Sequence, residues 1–376
     1  MRVLHFYKTY FPDTIGGVEQ VINQLARGSA NLGVESEVLS LSSNAVERTI
    51  EINGHKAHRA RCDFQIASTS FSASVFLRFA QLAKKADVIH YHFPWPFMDV
   101  VHFATRVKKP SLVTYHSDII RQKNLLKLYR PLQKLFLSNV DQIVATSPNY
   151  LATSHVLEKF VHKVAVIPIG LDKASYPEPR AERLAYWHNQ FGERFFLFVG
   201  VIRYYKGLHI LLEAAQTLTY PIVIVGSGPV ENELKAQAQR LGLSNIHFLG
   251  QQPEEDKVAL LSLCYAVLFP SHMRSEAFGV SLLEGAMFGK PMISSEIGTG
   301  TTFVNIADET GVVVPPGDPI ALRQAMKFLW QNPVKAELMG KAALRRYHNL
   351  FTAEKMVNSY LGLYQKLVNQ KMDQRV

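Results

Sequence analysis

The 376-residue chain has only two cysteines, Cys62 and Cys264, and neither has neighbours spaced like metal ligands. A disulfide framework and a structural zinc site are therefore not expected. Long apolar runs are also missing: uncharged stretches such as 64–77 and 258–273 fall short of the roughly 18 residues a membrane-crossing helix needs. Residues 1–8, MRVLHFYK, read as a buried strand followed by polar residues rather than as a signal peptide, so export is not expected. No short-period repeat or low-complexity tract occurs, and Gly-x-Gly-x-x-Gly follows neither half's first apolar run, which argues against a nicotinamide dehydrogenase.

What is present is 47% hydrophobic residues and a net charge of +10. That profile suits a globular protein of about two domains at roughly 100–200 residues each. The charge is unevenly spread. Residues 1–175 carry 21 Lys and Arg against 13 Asp and Glu, whereas 176–376 carry 20 against 18. Segment 119–139 holds Arg121, Lys123, Lys127, Arg130 and Lys134 with no acidic residue. Leu125, Leu128, Leu132, Leu135 and Phe136 recur there at three- and four-residue intervals, which predicts an amphipathic helix with a basic face, interrupted at Pro131. Such a helix suits an anionic membrane surface, or packs on its own domain with its lysines in water. Nucleic acid is not expected, because no aromatic platform interleaves the basic residues.

Short runs rich in Val, Ile and Phe at 3–6, 36–41, 88–91, 111–115, 142–145 and 164–167 alternate with helical patterns. Alternation of this kind predicts an α/β unit, a parallel sheet with helices on both faces. Breakers at 168–172 and 176–179 read as a linker, which sets a first domain at 1–175. The pattern restarts at 195–199, 222–225, 246–249, 266–269, 292–294 and 311–314, giving a second doubly wound domain over 176–352. A last helix, 353–372, is expected to cross back onto the first domain. Binding is expected at the carboxyl ends of the strands.

Several motifs fall there. Gly16 and Gly17 open a helix, where backbone N–H groups suit an anion or serve only as helix entry. Arg203 and Lys206 lie on the loop after 195–200 and suit a diphosphate, the guanidinium as a fork and the ammonium as a point charge. Gly226 and Gly228 repeat the theme of a strand opening into glycines. The most specific element is 275–284, SEAFGVSLLE: a helix beginning at Gly279 places Glu284 on it and Glu276 on the preceding loop. Two carboxylates there can each accept hydroxyl hydrogen bonds, while the N–H groups near Gly279 and Val280 suit phosphate oxygens. His116 ends the strand 111–115, with Asp118 nearby as an orienting group, a base or a helix cap. His90 and His92 stand two apart at another strand end; with no third ligand in view, lining or packing roles are favoured over metal.

The order of Gly16-Gly17, Arg203 to Lys206-Gly207, Gly226-Ser227-Gly228, the Glu276 and Glu284 pair, and Val314-Pro315-Pro316-Gly317-Asp318 resembles glycosyltransferase family four. The resemblance covers nearly the whole chain. It implies the GT-B fold, two Rossmann-like domains facing across a cleft, the first binding acceptor and the second the nucleotide-sugar donor. It also implies metal-independent, retaining transfer of a sugar to an acceptor hydroxyl. By that resemblance Glu276 holds the donor sugar, Glu284 the ribose, Arg203 and Lys206 the diphosphate, the backbone of Gly17, Phe278 and Gly279 the donor phosphate or sugar, and His116 sits beside the reacting sugar. Val201 stands where the family usually has its Arg, so Arg203 must reach from two residues further on.

Segment 297–316 resembles, more loosely, mannosyltransferases that build O-antigen and related lipid-linked glycans from GDP-mannose. The expectation is therefore a cytoplasmic enzyme at the inner face of the bacterial inner membrane, using GDP-mannose and a polyprenyl-diphosphate-linked saccharide. A sugar-nucleotide epimerase and a non-catalytic sugar-binding protein on the same architecture are the alternatives.

Overall fold

The computed structural model describes residues 1–14, 16–44, 48–66, 69–119 and 123–373. The chain divides into two compact units, one of Met1–Gly170 with Ala353–Val376, the other of Leu171–Thr352.

The first unit contains strands β1 (Arg2–Phe6), β2 (Glu35–Ser42), β3 (Thr49–Ile52), β4 (His55–Arg61), β5 (Phe64–Ile66), β6 (Thr69–Phe71), β7 (Val88–Phe93), β8 (Ser111–Tyr115), β9 (Gln142–Ala145) and β10 (Val164–Val166). Eight of them form one sheet in the order β10-β9-β8-β7-β1-β2-β4-β3, with β5 and β6 paired apart. All neighbours in the large sheet are parallel except β3 and β4. Strands such as β7 and β8 are buried along their whole length, as a parallel sheet covered on both faces requires. The chain runs from β1 outward through β2 in one direction and then restarts at β7 on the other side of β1. The gap between β1 and β7 is therefore this unit's topological switch point.

The second unit contains β11 (Phe196–Val199), β12 (Ile222–Val225), β13 (Ile246–Gly250), β14 (Ala266–Phe269), β15 (Met292–Ser295) and β16 (Gly311–Val314), all parallel in the order β13-β12-β11-β14-β15-β16. This is the doubly wound order of a Rossmann sheet, with its switch point between β11 and β14. Phe196, Phe198, Ile224, Leu268 and Ile293 fill the core between this sheet and its helices.

Every strand expected from the apolar runs is present. Strands β3 to β6 were not expected. The basic segment forms one helix, Lys123–Asn139, that continues through Pro131. Phe136 is buried, while Leu125, Leu128 and Leu135 stay exposed beside Lys127, Arg130 and Lys134. Arg121 and the side chain of Lys123 lie outside the described residues. The helix Ala353–Asp373 packs in the first unit, placing Tyr360 and Tyr364 over β7 and β8.

Candidate active site

In the second unit, the segments that follow β11 and β14 flank the switch point, and each supplies half of an ion pair. After β11 the chain makes a short turn, Tyr204–Lys206, and the Lys206 ammonium donates to Glu276 Oε2 on the loop after β14. Both side chains are about nine-tenths buried. Burial works to lower the Lys206 pKa, but the carboxylate outweighs it and the ammonium is held above its ordinary value. The ammonium also lies 4.9 Å from the Phe269 ring centroid. Arg203 is exposed on the same loop.

The helix expected to begin at Gly279 is Val280–Met287, with Gly279 as its N-cap at φ 94°, a left-handed conformation in which a side chain would be strained. Glu284 therefore lies on the helix and Glu276 before it. Glu284 Oε1 accepts from the Tyr176 hydroxyl at 3.0 Å and from Lys257 Nζ at 2.9 Å. Lys257 is held above its ordinary pKa, the Glu284 and Glu254 carboxylates outweighing its burial. Tyr176 and Lys257 were not foreseen, because neither sits in a recognisable motif. Among the described residues, nothing occupies Oε1 of Glu276 or Oε2 of Glu284. Each carboxylate thus commits one oxygen to an ammonium and leaves the other with unused acceptor capacity.

The glycines at the end of β12 have a packing role of their own. A Cβ on Gly226 would lie 2.0 Å from the Gly200 carbonyl oxygen, and one on Gly228 would lie 2.1 Å from that of Ile202. Only glycine lets the loop after β12 close onto the loop that leads to Arg203 and Lys206. Phe278 buries its side chain against Gly300 and Phe351, leaving its backbone as the part a ligand can meet. Val280 and Ser281 open the helix, so their N–H groups have no carbonyl one turn back, and Ser281 Oγ ties this end to the carbonyl of Val199 at 2.7 Å.

In the first unit, Gly16 caps the helix Gly17–Ala30. A Cβ on Gly16 would lie 2.5 Å from a Glu19 carboxylate oxygen, so this helix start already holds an anion of its own. Glu19 Oε1 accepts from the hydroxyls of Thr9 and Thr14, each at 2.8 Å.

The other switch point is lined with histidine. His5 on β1 is in register with His90 on β7, and His92 with Thr114 on β8. Because side chains alternate along a strand, His5, His90, His92, Thr114 and then His116 share one face of the sheet. His116 Nε2 lies 3.0 Å from His92 Nδ1, and His92 Nε2 lies 3.1 Å from His5 Nδ1. His90 bonds Thr114 and Tyr364, both at 2.7 Å, and Thr114 bonds Tyr360. Burial holds the His5 and His116 pKa values down at about 3, and those of His90 and His92 well below the ordinary value. The rings are therefore neutral.

His5 supplies the third imidazole that the sequence did not reveal, with ligand atoms of His5, His90 and His92 within 4.8 Å of one another. Every ring nitrogen of these three except His5 Nε2 is shared between rings or bonded to a hydroxyl. Asp118 accepts from Tyr115 at 2.8 Å and Ser154 at 3.0 Å rather than from His116. The expectation that it orients His116 is replaced by a role anchoring the loop after β8.

Two family models match this chain, "Glycosyltransferase Family 4" over residues 15–175 and "Glycosyl transferases group 1" over 187–346. The D-rhamnosyltransferase WbpZ of Pseudomonas aeruginosa is 63% identical over 353 residues, covering 94% of this chain and 93% of that protein. The chain belongs to glycosyltransferase family four. The O-antigen chain mannosyltransferase C of Escherichia coli is 49% identical over 371 residues, 99% of this chain and 100% of that one. A sucrose-phosphate synthase from Thermosynechococcus elongatus has a TM-score of 0.82 at 22% identity over 98% of this chain and 99% of that one, a likeness of fold. This glycosyltransferase thus has the two Rossmann-like units of the GT-B class. Among its described residues, no helix is long and apolar enough to cross a membrane.

Proposed function

We propose that this glycosyltransferase moves a manno-configured hexose from its GDP-activated form to a hydroxyl of a polyprenyl-diphosphate-linked saccharide in bacterial O-antigen synthesis, with retention at the anomeric carbon. The observation that carries the reading is the Lys206 and Glu276 pair at the second unit's switch point. Lys206 and the exposed Arg203 offset the charge that builds on the departing diphosphate. Glu276 Oε1 takes hydroxyls of the donor sugar, and Glu284 Oε2 takes the ribose. The backbone at Phe278, Gly279 and Val280 takes phosphate oxygens. In the first unit, His116 bonds a sugar or acceptor hydroxyl.

D-rhamnose is 6-deoxymannose, so the two relatives differ in name by one hydroxyl. The 63% identity favours D-rhamnose as the sugar transferred, and the match to the mannosyltransferase over 99% of the chain supports mannose as the second reading. GDP-D-rhamnose and GDP-mannose offered in parallel with a lipid-linked acceptor, with and without chelator, separate the two. Transfer from neither, or conversion of the donor to an isomer without acceptor, overturns the proposal.

The basic helix Lys123–Asn139 is proposed to face an anionic membrane at the cytoplasmic side. Exposed Leu125, Leu128 and Leu135 beside Lys127, Arg130 and Lys134 support this, as does an apolar cavity of about 310 Å³ bounded by Ile66, Phe71, Leu125, Leu128 and Tyr129.

A further inference from the structure

Between neutral imidazoles, a hydrogen bond needs one N–H and one bare nitrogen. A row of such rings therefore has only two consistent proton registers. In one, His5, His92 and His116 all carry the proton on Nε2; His92 donates to His5, His116 donates to His92, and His116 Nδ1 is bare. In the other all three carry it on Nδ1; His5 donates to His92, His92 donates to His116 Nε2, and His116 Nδ1 is an N–H donor. The far end decides between them. His5 Nε2 is buried without a partner, so the first register strands a buried N–H there and the second strands only a lone pair. Orphaned buried N–H groups are the rarer and costlier case. The same dead end stops the row from passing a proton through, because nothing beyond His5 Nε2 accepts one.

We propose that His5 and His92 are positioning residues that lock His116 as the neutral Nδ1–H tautomer, so that it presents a hydrogen-bond donor to substrate. The inference deepens the role given to His116 in the proposed function and rests on that reading. Nδ1 of His116 has no partner among the described residues, whereas its Nε2 is taken by His92. Locked this way, His116 cannot remove the proton of an attacking hydroxyl. It donates to a hydroxyl oxygen and fixes its orientation. The row lies at the switch point between β1 and β7, the place in a doubly wound sheet where a ligand is met, and Thr114, Tyr360 and Tyr364 hold His90 beside it.

The test is ¹⁵N NMR of the full chain labelled at histidine, with the His116 ring assigned by its loss in His116→Gln. Ring shifts of the Nδ1–H form are expected; the Nε2–H form, or exchange between the two, overturns the proposal. This spectrum needs no sugar transfer, so it stands apart from any failure of the proposed function. In turnover, His92→Phe is expected to lower kcat about tenfold or more with nucleotide-sugar affinity unchanged. His92→Asn, whose amide N–H can donate to His116 Nε2, should regain most of that loss. Equal kcat in the two variants counts against the tautomer lock. If His92→Phe fails to fold, the wild-type spectrum still decides.

Discussion

Lowering the pH from 7.5 to 5.0 should loosen the first unit through its buried histidines. His5 and His116 are held at about 3 in the folded chain against 6.5 in the unfolded one, by burial. A histidine with a depressed folded pKa contributes stability that is present above 6.5. That stability is lost as pH falls, because the unfolded chain binds the proton and the folded one does not. At roughly 1.4 kcal/mol per pH unit below 6.5, each ring costs about 2 kcal/mol by pH 5.0, or about 4 kcal/mol for the two. His90 and His92 act with the same sign. A typical domain is stable by only about 5–15 kcal/mol, so the effect is large. Hydrogen exchange of peptides from β1, β7 and β8, corrected for intrinsic rate, reads it locally. Protection should fall steadily below pH 6.5, and His5→Leu should flatten the slope by about one ring's share, roughly 1.4 kcal/mol per pH unit. Protection that stays level or rises down to pH 5.0 would refute the reasoning.

Lys206→Met or Glu276→Gln alone leaves a buried charge unpaired and should cost about 3–5 kcal/mol of stability. The double variant should recover most of the stability and none of the transfer; recovered transfer would show the pair to be structural only. Lys257→Met should weaken nucleotide-sugar binding about tenfold or more by freeing Glu284, measured by calorimetry, with Tyr176→Phe milder. Asp99 is fully buried and its carboxyl is held well above the ordinary value by burial, so the folded chain keeps a proton the unfolded chain loses. Stability contributed there falls as pH rises above the usual carboxyl range, and Asp99→Asn should raise the melting temperature at pH 8 more than at pH 5. Replacing Lys127, Arg130 and Lys134 with Gln should weaken binding to anionic vesicles about a hundredfold at low salt. Binding that is unchanged by the triple variant and by high salt removes the electrostatic docking.

The alternation of apolar runs made both parallel sheets legible, because a strand buried on both faces is mostly apolar. The hairpin of β3 and β4 escaped that rule. HKAHRAR over His55–Arg61 carries three basic residues, and its burial falls on small and aromatic positions only. Its signal was local instead. Asn53 and Gly54 both have positive φ, 49° and 81°, the two-residue turn that an Asn-Gly pair favours. In the second unit, motif spacing placed Lys206, Glu276 and Glu284 correctly around the helix start. The partners of Glu284, Tyr176 and Lys257, come from 108 and 27 positions away in the chain, a separation no local pattern encodes. His5 was hidden for the same reason: its meaning depends on the register of β1 with β7.

The two switch points use opposite electrostatics. In the second unit, Lys206 and Lys257 are kept charged by carboxylates that outweigh their burial. In the first, burial without a carboxylate partner strips the charge from every imidazole in the row. In the proposed function a diphosphate is bound by charge, whereas a hydroxyl is oriented by a neutral donor of fixed direction. An imidazolium in the row would pay the full cost of burial.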